Sequence, residues 1–144
     1  MNTLSTKWVD TLRSDQSRFD SVFGFAESRE VDTLTLQDLI ATYGEPAFVK
    51  IDVEGHELPV IRGLRAPVPC LSFEVNLPQF RAEGKRCVEE LSRVDANGTF
   101  NYAVDCERGL VLAEWCSGVK FQGVLDQCQD KSIEVFWRTS PRSS

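Results

Sequence analysis

The sequence predicts an α/β fold: an open sheet, mostly parallel, with an antiparallel pair near its C-terminal end. Three observations predict it. Compact apolar runs bounded by Gly or Pro alternate with helical periodicities through residues 31–96, the order of successive βα units. After Asn97-Gly98 a period-two pattern turns at Glu107-Arg108-Gly109 into a second apolar run, the sign of an antiparallel return. The 144 residues, 42% hydrophobic and 26% charged, suffice for a single domain with its own core.

Residues 1–30 read as an irregular N-terminal segment, 31–139 as the α/β domain and 140–144 as a frayed tail. In the first segment Trp8, Val9, Leu12 and Phe19 are loosely helical in spacing, which predicts a short helix and a loop. Residues 31–34 suit a short strand. Thr35 suits an N-cap, and Leu36, Leu39, Ile40 and Tyr43 form one helical stripe, stopped by Gly44 and Pro46. FVKIDV (48–53) has the length and β-branched content of a strand buried in a parallel sheet. A short helix follows, with Glu57 in its first turn and Gly63 near its end, and LSFEV (71–75) is the next strand. Residues 84–96 present Cys87, Val88, Leu91 and Val94 on one helical face. Phe100, Tyr102, Val104 and Cys106 alternate with Asn101, Ala103 and Asp105 as in a half-covered strand, answered by a strand at 110–113. A helix around Val124, Leu125 and Cys128 leads to a last strand at 133–137.

Composition narrows the function classes. No run of about 18 apolar residues is present, so no membrane span is expected. The opening MNTLSTKW has no apolar signal region. A net charge of −6 repels phosphate backbones and argues against nucleic acid as partner. Five cysteines, odd in number and without a CxxC pair, read as reduced thiols in a cytoplasmic protein. His56 is the sole histidine, which removes metal sites needing two, and no metal is expected.

Ligands of open α/β sheets bind at the carboxyl ends of the strands. Lys50 and Asp52 share one side of their strand, and Ser72 and Glu74 one side of the next. If the two strands are neighbours, Asp52 and Glu74 face one crevice, with Glu54, His56 and Glu57 on the adjoining loop. A carboxylate there can accept a hydrogen bond from a substrate hydroxyl or act as a base. Each residue also has a plainer role. Glu57 favours a helix N-terminus, Lys50 a structural ion pair with Asp52 or Glu74, and His56 plain solvent exposure. Asp52-x-Glu54 also has the carboxylates of a weak magnesium site.

Residues 33–64, TLTLQDLIATYGEPAFVKIDVEGHELPVIRGL, and 67–78, PVPCLSFEVNLP, carry something more specific. Together they resemble the FkbM-type family of S-adenosylmethionine-dependent methyltransferases. Lys50, Ile51, Asp52, Val53, Glu54, Gly55 and Glu57 match its "KIDVEG-E" element without a gap. Ile61, Gly63 and Leu64 match "L-GL", and Leu71, Ser72, Phe73 and Glu74 match "LSFE". Thr35-Leu36-Gln37 departs from the family's "TLD-L" helix start. The resemblance implies a class I, Rossmann-like sheet of seven strands and methyl transfer from S-adenosylmethionine to a hydroxyl of a small molecule or glycan. It places Asp52 and Glu54 beside the methyl-transfer site; taken with the strand-end reading, the catalytic candidates are Asp52, Glu54, His56 and Glu74, and the cofactor-binding candidates Lys50 and Asp52.

The family's glycine-rich donor loop is not found. No two of the nine glycines form GxG, and none follows a credible first strand. Counting back from KIDVEG leaves room for a third strand near Val31 but not for the first two. The sheet is therefore expected to be truncated, with residues 48–53 at an exposed edge. Three outcomes follow: the chain is the C-terminal portion of a longer gene product, it forms a homodimer through that edge, or its first thirty residues cover the edge. Two further readings stand beside the methyltransferase. One is a degenerate, non-catalytic binding or dimerisation module; the other is an unrelated metal-assisted enzyme using Asp52, Glu54 and Glu74.

Overall fold

The computed structural model describes residues 4–14, 30–104 and 108–140. The elements run α1 (Thr6–Ser14), α2 (Leu36–Tyr43), β1 (Val49–Ile51), α3 (Glu57–Arg62), β2 (Cys70–Asn76), α4 (Arg81–Val94), β3 (Thr99–Ala103), β4 (Cys116–Ser117), α5 (Gly118–Gln127) and β5 (Ser132–Arg138). Their order along the chain is that of an α/β protein.

Local chemistry explains most boundaries. Thr35 caps α2 in a full capping box: its hydroxyl accepts from the Asp38 N–H, and Asp38 accepts from the Thr35 N–H, both at 3.1 Å. Gly44, with φ +95°, ends that helix in a conformation open to glycine. Residues 31–34, expected as a strand, pair with no strand among the described residues. The expected strand at 110–113 is not formed either. The return instead makes isolated bonds, such as Val111 N–H to the Tyr102 carbonyl at 2.8 Å, and pairs with β3 only at β4. Asp105 and Cys106 lie outside the described residues.

Five strands form one sheet in the order β1-β2-β5-β3-β4. Only β1 and β2 pair in parallel; β2 with β5, β5 with β3 and β3 with β4 pair antiparallel. The expected mostly parallel sheet is thereby corrected. The reversal originates between residues 104 and 115, where the chain folds back into β4. Helix α5 then acts as a crossover, which joins strands of like direction, and delivers β5 on the other side of β3, still reversed. Strands β1, β2 and β3 do share a direction, but β5 separates the third from the other two.

Helices α3, α4 and α5 cover one face. Leu71, Phe73, Val75, Ile133, Val135, Trp137, Phe100 and Tyr102 point into it and are buried. Gly84 of α4 lies so close to Val75 that an added Cβ would sit 2.8 Å from Val75 Cγ1. Phe121 of α5 stacks on Phe100, with ring centroids 5.5 Å apart. The opposite face carries Lys50, Ser72, Phe136 and Asn101 in register across four strands. Among the described residues no helix covers it; the segment 108–115 crosses part of it, held where Asn101 bonds the backbone of Leu112 on both sides at 2.9 and 3.0 Å. That bonding explains why β3 is buried on both faces rather than alternating as its sequence suggests.

Strand β1, at one end of this order, is an edge among the described residues. That agrees with the exposed edge expected for residues 48–53 from the missing first strands, and not with the buried strand that the apolar run by itself suggests: Lys50 is exposed and Phe48 is 46% exposed. Helix α2, tied to the end of α3 by the Gln37 N–H to Gly63 carbonyl bond, is likewise half covered: Leu36 and Ile40 pack on the core, while Leu39 and Tyr43 stay exposed. The short N-terminal helix does form, as α1. It docks at the strand ends, where Trp8, Leu12 and Phe80 make a small second core.

Candidate functional site

The carboxyl end of β1 is built around a buried acid. The chain leaves the strand through Glu54, at φ +50°, and Gly55, at φ +88°, and enters α3 at Glu57. Such a reversal is cheap at glycine and costly elsewhere. Glu57 is buried and accepts a hydrogen bond from the Gly55 N–H at 3.1 Å. Burial pushes its pKa up, partly offset by N–H donors of its own residue, Gly55 and Val53. Glu57 thus clamps the loop that carries Asp52 and Glu54, a role beyond the helix-dipole partner its position suggested.

Above this clamp lies a cluster of charges on the uncovered side of the sheet. Lys50 Nζ stands 3.3 Å from Glu134 and 3.6 Å from Asp52. Burial draws its pKa down, but Glu134 and Asp52 together hold it above the usual lysine value. Glu74 and Glu134 are direct cross-strand partners, and like charges so placed repel. The repulsion is relieved on each side: Lys50 neutralises Glu134, and Ser132 Oγ donates to Glu74 Oε1 at 2.6 Å. The Glu54 carboxyl has its pKa raised, first by partial burial and then by Glu74, Asp52 and Glu57. Ser72, in register with Lys50, is 1% exposed and its hydroxyl has no hydrogen-bond partner among the described residues.

Asp52, Glu54 and Glu74, anticipated from spacing, are therefore within one electrostatic neighbourhood, with Lys50 beside them. His56 is placed apart. It lines a cavity of about 340 Å³ with Thr33, Asp38, Pro59 and Gly63, which Asp52, Glu54 and Glu74 do not line. Glu134, Ser132 and Ser72 were not foreseen as site residues. The signal for Glu134 was available: it is the acid in a strand, IEVFW, whose other face is wholly apolar. Only the return of β5 beside β2 makes that signal meaningful. No group of three His, Cys, Asp or Glu side chains among the described residues is placed to hold a metal ion.

The fit of S-adenosylmethionine can be tested at the glycines. Its amino-acid end needs close backbone approach. Gly55 is the glycine at the carboxyl end of β1, and the space beside it is filled from within. A Cβ built there would meet Phe80 Cε1 at 2.9 Å and Ser5 Oγ at 3.0 Å. Gly44, Gly109 and Gly123 have open space, but the first two stand in turns away from that strand end and the third within α5. The described residues do not form a cradle for the methyl donor.

The structure is thus an α/β domain with acidic side chains gathered at the carboxyl ends of its two parallel strands. Residues 5–97 match the Methyltransferase FkbM domain, well over half of the chain, and the chain belongs to that family. The match takes in α1 and the whole acidic cluster except Glu134 and Ser132. No curated protein matches the chain. No helix among the described residues is long and apolar enough to cross a membrane.

Proposed function

We propose that the chain serves methyl transfer to a hydroxyl of a small molecule or glycan, and that it supplies the acceptor side of that site. The observation that carries this reading is the gathering of Asp52, Glu54 and Glu74 at the carboxyl ends of the paired strands β1 and β2, where partial burial and the neighbouring carboxylates raise the proton affinity of Glu54. A carboxyl pushed toward neutrality is a better proton acceptor for a hydroxyl than an ordinary one. Glu54 takes the hydroxyl proton, while Glu74, fixed by Ser132, and Asp52, fixed by Lys50, orient the acceptor by hydrogen bonding. The unpaired Ser72 hydroxyl adds one more group that an acceptor can satisfy.

In the family the methyl group comes from S-adenosylmethionine. The described residues give that donor no cradle, so its binding groups must be provided by other residues, in this chain or in another. The edge position of β1 also favours a second reading, a binding or dimerisation module without catalysis.

Fusion behind the donor-binding segment of an active family member, followed by an assay of labelled methyl transfer to a panel of hydroxyl compounds, separates the two. Transfer that falls about 10²-fold or more in Glu54→Gln is expected for loss of a general base. Transfer unaffected by Glu54→Gln overturns the assignment of the base, and no transfer to any acceptor leaves the module reading in its place.

A further inference from the structure

We propose that Glu134 is a positioning residue of the acid site: from the central strand β5 it holds the Lys50 ammonium across β2, and so fixes Asp52 and keeps Lys50 from neutralising Glu74. The consequence for methyl transfer rests on the reading of Glu54 as the base; the placement of Lys50 does not.

The geometry starts from the strand order. Strand β2 lies between β1 and β5. Lys50 stands in register with Ser72 of β2, and Ser72 with Phe136 of β5. Glu134 is opposite Glu74, two residues along from that row. Lys50 Nζ is nevertheless 3.3 Å from both carboxylate oxygens of Glu134. Neighbouring strands are about 4.8 Å apart, so the lysine and glutamate side chains meet only by crossing β2. Ser72, buried on that face, is short enough to leave room for the crossing.

The two partners of Lys50 are unequal. The Asp52 side chain is 52% exposed and 3.6 Å away; that of Glu134 is 13% exposed and 3.3 Å away. Exposed ion pairs are worth little, because water and side-chain entropy offset the attraction. The better-buried Glu134 is therefore the anchor, and Asp52 meets the ammonium where the anchor puts it. Strand β5 is hydrogen-bonded on both edges, which makes it a firm base to anchor from.

Among the described residues the charges around Glu54 are those of Glu74, Asp52 and Glu57, with Lys50 and Glu134 beyond them. Glu74 and Asp52 are also the carboxylates that an unanchored Lys50 ammonium can reach, one opposite the anchor and the other already beside it. Held on Glu134, Lys50 neutralises them only in part. Released, it moves onto them, and Glu54 gives up its proton more readily.

Titration of the Glu54 carboxyl, followed by carbon NMR in the full chain, tests the anchor. Glu134→Gln keeps the shape, removes the charge and should shift the Glu54 midpoint to lower pH. Glu134→Asp keeps the charge and should restore most of the natural midpoint. A Lys50→Met chain has no ammonium to release, so adding Glu134→Gln to it should leave the midpoint where Lys50→Met alone puts it. An unshifted midpoint in Glu134→Gln would overturn the proposal, as would no restoration by Glu134→Asp. So would a shift of equal size with and without Lys50, which marks a direct effect of the Glu134 charge. Circular dichroism checks that each variant folds. The titrations need neither donor nor acceptor, so failure of the methyl-transfer reading in the fusion assay leaves their outcome standing, and their failure leaves that assay standing.

Discussion

Strand β5 is hydrogen-bonded on both edges, over seven residues to β2 and five to β3, and buries Ile133, Val135 and Trp137 under the helices. Strand β1 pairs on one edge over three residues and leaves Lys50 and Phe48 open. The family's most specific motif belongs to the second strand. The contrast separates two jobs: the β2–β5–β3 centre holds the fold together, while the β1 flank carries the charges and unsatisfied groups that chemistry or association can use. Flanks of this kind come from the low-stability end of a structure, because a site must be reachable.

The contrast can be broken at its stable end. Trp137→Ala removes a fully buried indole and should cost about 3–5 kcal/mol, read as a lower midpoint in denaturant unfolding. A loss below about 1 kcal/mol would show that β5 is not the centre of the core. At the flank, Glu57→Ala leaves the Gly55 N–H without its acceptor and should cost about 1–3 kcal/mol. Its particular sign is faster amide exchange at Gly55, with the amides of β5 changing only as far as global stability requires.

The smallest effect has the opposite direction. Glu54 has a raised pKa in the folded chain, against an ordinary value of 4.5. Below 4.5 it is protonated whether folded or not and makes no difference. As pH rises through the window above that value, the unfolded chain releases the proton first, and stability falls until the folded group ionises as well. Glu54→Gln should remove this fall and raise the melting temperature at neutral pH while leaving it nearly unchanged in acid. A melting temperature lowered at neutral pH would mean that the Glu54 charge is stabilising, contrary to its surroundings.

Much of the stable centre was legible in the sequence. Ile133, Val135 and Trp137 alternate cleanly, Cys87, Val88 and Leu91 recur at helical spacing, and Thr35 with Asp38 spells a capping box. Each of these is a local pattern. What escaped was non-local. The reversed direction of β5 follows from where the chain turns between residues 104 and 115, and no periodicity records that. Asn101 looked like a solvent-facing residue of a half-covered strand, since its burial depends on the backbone of Leu112 arriving over it. At the site, spacing placed Asp52, Glu54 and Glu74 together because they lie at the ends of two adjacent parallel strands. It could not supply Glu134 and Ser132, which come from a strand some 60 residues on. Nor could it separate His56 from the acids, as the turn at Gly55 sends it to another cavity.

The division between a stable centre that is complete and a flank that holds only the acceptor side of a methyl-transfer site is tested most directly by titration calorimetry of this chain with S-adenosylmethionine. Gly55 is closed by Phe80 and Ser5, and Gly118, the described glycine that follows β4, is closed by Ser92 and Phe100. The expected result is no saturable heat up to high ligand concentration. Saturable micromolar binding, about −8 kcal/mol, would contradict it and place the donor's cradle within this chain.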